Sequence, residues 1–210
     1  MIRSICTFAV LVVALCLAPL SARAADGAGT KVVRAANDTI AAQLKVKAKA
    51  GSADEKKAAA KVTASIRDFL DIGLLTERAL VDHWAKLKPA QRTEFLDTLR
   101  ALIEDNYIKG LRANLDYKVE YNGEAPGDGG TIVVKTTIIA KKKGRPVKLA
   151  VDYVLQQQGG KWRAFDVRTD GVGLVQNYRA QFNKIIAKEG FDGLLARMKK
   201  KRAAAPPKGT

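Results

Sequence analysis

Between Tyr117 and Val167 apolar and polar residues take turns along the chain, and no other stretch limits the fold as much. Tyr117, Val119 and Tyr121 alternate with Lys118, Glu120 and Asn122. Leu149, Val151, Tyr153 and Leu155 alternate with Lys148, Asp152 and Gln156. A period of two belongs to a strand with one face buried. Ile132 to Ala140 and Trp162 to Val167 complete the set. The connections are short: a glycine-rich turn over Gly123 to Gly130, a charged turn over Lys141, Lys142, Lys143 and Gly144, and Gly159-Gly160. Consecutive strands on short turns predict a four-stranded antiparallel meander. Its alternation predicts one face buried under helices and the other wetter.

The flanks supply those helices. After Lys88, Pro89 can open a helix where its missing N–H costs nothing, and Phe95, Leu99, Leu102, Ile103, Tyr107 and Leu111 then recur every three or four residues. After Gly171 and Gly173 the same period returns in Leu174, Val175, Tyr178, Phe182, Ile185 and Ile186; Gly190 ends that helix, and Gly193 to Lys201 forms a last short one. Upstream, Phe69, Leu70, Ile72, Leu74, Leu75, Leu80 and Trp84 suit short helical pieces. Lys31 to Lys49 and the segment from Asp54-Glu55 onward are Ala/Lys-rich helices with narrow apolar stripes, preceded by a small-residue leader, Ala25 to Thr30. Helices, meander, helices: the fold class is α+β, one domain over 25–202, with a Pro/Lys tail at 203–210 expected to be disordered.

The first 24 residues read as a signal peptide. Arg3 is a basic n-region, Ile5 to Leu17 is apolar, Pro19 breaks the run, and Ala22-Arg23-Ala24 sets small residues at a cleavage site. The run is shorter than the roughly 20 residues a spanning helix needs. Cys16 follows Leu15, where a lipid-anchoring motif wants a small residue. Both cysteines, Cys6 and Cys16, fall in the segment removed, so the mature chain is expected to carry no disulfide and no thiolate site. Loss of Arg3 and Arg23 lowers the formal charge of +16 by two, to +14. For an exported chain this basicity disfavours nucleic acid as partner and points to anionic membrane surfaces, or simply to solubility.

Catalytic patterns are sparse. The single histidine, His83, lies between Asp82 and Trp84, and adjacent helix residues do not face each other. No nucleophile elbow, metalloprotease motif or phosphate loop occurs. Asp166 and Asp170 could pair as acid and base; the plainer reading puts Asp166 on a strand and makes Asp170 the cap of the next helix. No enzyme, metal or cofactor is expected.

One long run carries a family resemblance. Trp162-Arg163-Ala164-Phe165-Asp166-Val167 leads through Arg168-Thr169 to Asp170-Gly171-Val172-Gly173-Leu174-Val175 and on to Gln176-Asn177-Tyr178-Arg179-Ala180-Gln181-Phe182. This resembles the signature of the periplasmic MlaC-type lipid-binding proteins of the maintenance-of-lipid-asymmetry pathway, also called the toluene-tolerance family. Leu80 to Trp84, Pro89 to Arg92 with Phe95, Tyr107, and Val151-Asp152-Tyr153 are similar to other family positions. Gly173 and Asp170 depart from the usual Ser and Glu. The resemblance runs from about Asp68 to Lys200, and nothing before Ile66 takes a role from it.

The resemblance implies a monomeric phospholipid shuttle in the periplasm of a Gram-negative-type envelope. It implies two partners: an outer-membrane lipoprotein–porin complex and an inner-membrane ATP-driven lipid transporter. Exposing the ~30 methylenes of two acyl chains to water costs on the order of 20 kcal/mol, so a carrier must shield them. The cavity is expected near or above the upper end of the usual range of about 300–1,000 Å³. By periodicity its candidate lining is Leu99, Leu102, Ile103, Val151, Tyr153, Leu155, Phe165, Val167, Val175, Tyr178 and Phe182. Arg179 is a candidate for head-group contact or, equally, for fixing the Gly171–Gly173 turn through its carbonyls or Asp166. The competing readings are a periplasmic binding protein for another hydrophobic ligand, such as a hopanoid, or for an anionic envelope component, and, third, a periplasmic enzyme.

Overall fold

The computed structural model describes residues 26–45, 49, 52–113, 117–142 and 145–204. The signal-peptide reading, the 143–144 turn and the last six residues of the tail lie outside them. Helices α1 (Ala28–Leu44), α2 (Ala53–Phe69), α3 (Ile72–Ala79) and α4 (Pro89–Ala113) precede the strands β1 (Tyr117–Pro126), β2 (Ile132–Lys142), β3 (Arg145–Gln158), β4 (Lys161–Thr169) and β5 (Val172–Gly173); α5 (Leu174–Ala203) follows. The sheet is an antiparallel meander in the order β1-β2-β3-β4-β5. It has five strands rather than the four expected. The fifth is a two-residue pairing of Val172 and Gly173 with Thr169 and Arg168, too short to leave an alternating pattern.

Helices α1, α2, α3 and α5 lie against the sheet, and α4 packs on α2, α3 and α5. The buried sheet face carries Val134 and Thr136 on β2 opposite Tyr153 and Val151 on β3, with Leu155 fully buried beside them. The Thr136 hydroxyl is satisfied there by the Val151 carbonyl at 2.6 Å, as a buried donor must be.

Several local signals act as expected. Ser52 caps α2 by accepting from the Glu55 N–H, with Asp54 and Glu55 in the first turn where the helix dipole favours acids. Asp71 caps α3 through the Leu74 N–H at 2.9 Å. Gly190 interrupts α5 with φ of +70°, a conformation glycine adopts without steric cost.

Three expectations need correction. The supposed leader is ordered: Ala28 to Thr30 form the first turn of α1, held by the Glu124 carboxylate, which accepts from the Thr30 N–H at 2.6 Å and the Thr30 hydroxyl at 2.9 Å. The cap comes from β1, far along the chain, so no local pattern announces it. The turn expected from Gly123 onward begins later. Gly123 sits inside β1 at a one-residue bulge between Tyr121 and Glu124, and the turn proper is Gly127 to Thr131. Third, the helix after β4 is capped by Asp166 rather than Asp170. Asp166 is 6% exposed and accepts from the Val175 N–H at 3.1 Å, while Asp170 occupies the β4–β5 turn with φ of +47°.

The Asp166 carboxylate lies so close to Gly173 that a Cβ there would stand 2.6 Å from Oδ2. Asp166→Ala is therefore expected to lower unfolding stability by about 1–2 kcal/mol, as loss of a helix cap does. Asp170→Ala should change it much less. Denaturant midpoints of the two variants check the assignment.

Candidate functional site

The apolar residues chosen by periodicity come from four elements, and most meet in one cluster. Leu99, Leu102 and Ile103 of α4, Val151, Tyr153 and Leu155 of β3, and Phe182 of α5 are all buried within it. Val167, Val175 and Tyr178 are half-buried and pack against its edge. The rings interlock: Phe69 meets Tyr153 edge-on at 5.6 Å, Phe95 meets Phe182 edge-on at 5.4 Å, and Tyr178 stacks on Phe182 at 5.2 Å.

Phe165 is the exception. The ladder pairs Val154 with Asp166 and Leu155 with Ala164, so Phe165 is the extra residue of a β-bulge. Ala164 takes the buried place opposite Leu155, and Phe165 stays half-buried with the Arg78 guanidinium 5.9 Å from its ring. Strict alternation fails at a bulge, and the pattern alone could not show one.

Tyr153 brings a phenol hydroxyl from the sheet into the cluster. Burial pushes it up to about 12, against a smaller opposing effect of the Asn37 amide. Asn37, itself 9% exposed, donates to the Tyr121 hydroxyl at 3.2 Å, so one amide of α1 serves the polar ends of the aromatic wall. The neutral phenol is the form the fold favours. Its contribution is complete below the ordinary tyrosine range and is lost as pH rises from about 10 toward about 12.

Among the described residues the space beneath the sheet is taken up by the apolar cluster, whose members Leu99, Val151, Tyr153, Leu155 and Phe182 are at most 5% exposed. Two cavities flank it. One, of about 250 Å³, lies between α1 and β1, with Arg34, Asn37, Tyr117 and Tyr121 in its wall. The other, of about 390 Å³, lies where α2, α3, α4 and β4 converge. Its floor is Ile66, Leu70 and Ile72, all members of the apolar cluster, and its rim carries Arg67, Arg100, Arg163, Asp71 and Glu104.

The rim is built from specific bonds. Glu104, 2% exposed on α4, is held bidentately by Arg67 of α2 at 2.7 and 3.1 Å. That pairing raises Arg67 further above the ordinary arginine range. Arg163 of β4 donates to the carbonyls of Arg67, Asp68 and Leu70, closing the C-terminal end of α2. Arg100 donates to the exposed Asp97 on its own helix at 2.9 Å. None of these charged groups was among the candidates. Glu104 lies within an apolar run of α4, and the sequence holds no sign that its partner sits on α2.

Arg179 is not tied to the turn it was expected to fix. Its Nε and one Nη donate to the Arg78 carbonyl near the end of α3, not to Asp166 or the Gly171–Gly173 turn. His83 is taken up by a contact of 3.0 Å between Nε2 and the Asn183 Oδ1. Among the described residues no cluster suits a metal ion, and no helix is long and apolar enough to cross a membrane.

Removing Arg67 leaves a buried carboxylate without its partner. Arg67→Ala is expected to cost about 1–3 kcal/mol, while the double variant Arg67→Gln with Glu104→Gln, which keeps neutral hydrogen bonding, should recover most of it. A double-mutant cycle from thermal or denaturant unfolding reads this coupling.

Comparison with known proteins places the architecture. A phospholipid-binding protein from Ralstonia solanacearum, solved in complex with a phospholipid at 1.53 Å resolution, aligns with a TM-score of 0.69 and 26% identity, covering 85% of this chain and 98% of that one. The intermembrane phospholipid transport system binding protein MlaC of Haemophilus influenzae is 23% identical over 131 residues, 62% of this chain. That alignment spans 61% of the Haemophilus protein's own length. The MlaC protein family matches residues 34–200, starting well before Asp68, so that most of α1 and all of α2 fall inside the shared region. The chain belongs to the MlaC family.

Proposed function

We propose that this protein is a periplasmic phospholipid carrier, exported by a cleaved signal peptide, that takes lipid from one membrane complex and delivers it to another. The observation that supports this most is a fold shared along nearly its whole length with a relative solved around a phospholipid. Here the same fold buries one continuous apolar cluster drawn from the sheet and from all five helices. The acyl chains, in this reading, enter among Leu99, Leu102, Ile103, Val151, Tyr153, Leu155, Val167, Val175, Tyr178 and Phe182. An outer-membrane lipoprotein–porin complex and an inner-membrane ATP-driven transporter are the partners that suit such a shuttle.

The energetics favour exchange over tight capture. Acyl chains that move from bilayer to protein pass from hydrocarbon to hydrocarbon, so the protein needs only an interior comparable to the membrane's. The cavities of about 250 and 390 Å³ hold less than two chains require. Loading, in this reading, needs helices to part from the sheet, with lipid methylenes replacing the contacts of Tyr153 and Leu155.

Two experiments test the reading. Solvent extraction and native mass spectrometry of the protein purified from a bacterial envelope should find stoichiometric glycerophospholipid. A purely apo mass would count against carriage, and a polycyclic triterpenoid in the extract would favour the hopanoid alternative. Val151→Trp and Leu155→Trp should abolish lipid retention and, because the face is close-packed, cost about 1–3 kcal/mol of stability. Retained lipid at unchanged stability would show that the chains lie elsewhere.

A further inference from the structure

The cavity at the meeting of α2, α3, α4 and β4 combines two features that rarely share so small a space. Its floor, Ile66, Leu70 and Ile72, is at most 6% exposed and continuous with the apolar cluster, whereas its rim carries three guanidinium groups. An amphiphile with an apolar body and an anionic end matches that pairing; a purely apolar ligand would leave the rim unused.

The guanidinium groups differ in how much of their donor capacity is already committed. Each has five N–H donors in a rigid fork suited to phosphate oxygens. Arg67 uses Nε and Nη2 on Glu104, its Nη1 has no hydrogen bond among the described residues, and its side chain is 59% exposed at the mouth. Arg100 spends Nη1 on Asp97 and is 38% exposed. Arg163 spends Nε and Nη2 on the end of α2, and its Nη1 stands 3.9 Å from Asp71. The bonds that tie Arg67 and Arg163 to Glu104 and to the helix carbonyls also hold the two forks in place.

We propose that this cavity is the head-group end of the lipid site, with Arg67 and Arg100 donating to the phosphodiester of a glycerophospholipid and Arg163 supplying fixed positive charge behind them. The proposal rests on the carrier reading and deepens it. The protein then selects its cargo by the phosphate as well as by the acyl chains. The sugar or amine beyond the phosphate points to solvent and is read weakly.

The test presents the full chain with vesicles containing equal amounts of phosphatidylglycerol and of diacylglycerol with the same acyl chains. The protein is reisolated and its bound lipid counted by mass spectrometry. Wild type is expected to favour the phospholipid about tenfold or more, the effect of a charge-assisted hydrogen bond. In Arg100→Gln, and in the double variant Arg67→Gln with Glu104→Gln that avoids a stranded carboxylate, the ratio should fall toward one. Lys118→Gln removes one exposed charge away from the cavity and should leave the ratio as it was. Circular dichroism melts confirm that each variant is folded. An unchanged ratio in both cavity variants, or an equal fall in Lys118→Gln, overturns the head-group assignment while leaving carriage intact. So does a melting shift produced by inorganic phosphate alone that matches the shift on lipid loading, which would mark a free-anion site. If wild type retains neither lipid, the carrier reading fails and the head-group assignment with it.

Discussion

Strand β4 joins the two helical blocks to the sheet through a pair of charged side chains three residues apart, Arg163 and Asp166. Arg163 closes the end of α2, whose chain then passes alongside β4 with Asp71 N–H donating to the Ala164 carbonyl at 2.8 Å. Asp166 receives the first turn of α5. Between them lies the bulge at Phe165, which turns Ala164 inward and leaves room for the neighbouring chain. Each attachment satisfies helix-end groups that would otherwise lie unpaired. A sheet face as apolar as Val151, Tyr153 and Leu155 could be covered in many ways; these two bonds select one. Gly173 is part of the same arrangement, because any side chain there would displace the Asp166 carboxylate.

This explains which parts of the molecule were legible in the sequence. Periodicity gave four of the five strands and the helix faces, and seven of its eleven candidate lining residues lie in the buried cluster, because burial of an amphipathic face is a property each element carries by itself. What escaped were features made by two distant segments. The Glu124 cap on α1, the Asp166 cap on α5, the Arg67–Glu104 pair and the Arg179 bond to the Arg78 carbonyl each join residues without a shared local pattern. The bulge at Phe165 escaped for a different reason: it is one residue of irregularity inside an otherwise alternating run. The Trp162 to Phe182 motif was specific enough to identify the family, yet it offered no hint that its second residue, Arg163, clasps α2.

The candidate site shows the same division. Its apolar lining was visible because hydrophobic periodicity is local. Its charged rim was not, since Arg67, Arg100, Arg163 and Glu104 become a group only where three helices and a strand converge. A carrier needs both parts: the first determines whether a lipid can be held, and the second bears on which one.

The closed packing of the cluster also constrains when a lipid could enter. Parting the helices from the sheet in water would expose apolar surface on the order of several hundred Å², at about 25 cal/mol per Å² a cost near 10 kcal/mol. That is comparable with the whole stability of a domain, about 5–15 kcal/mol. Spontaneous opening in the aqueous phase would therefore border on unfolding. The cost disappears if acyl chains enter as the side chains separate, for then no apolar surface meets water at any stage. On the carrier reading, loading and release belong at a membrane or a partner's hydrophobic surface, and between those surfaces the filled core itself prevents lipid loss. A tightly packed interior around Tyr153 and Leu155 is then consistent with carriage, because it keeps exchange confined to the places where lipid is meant to move.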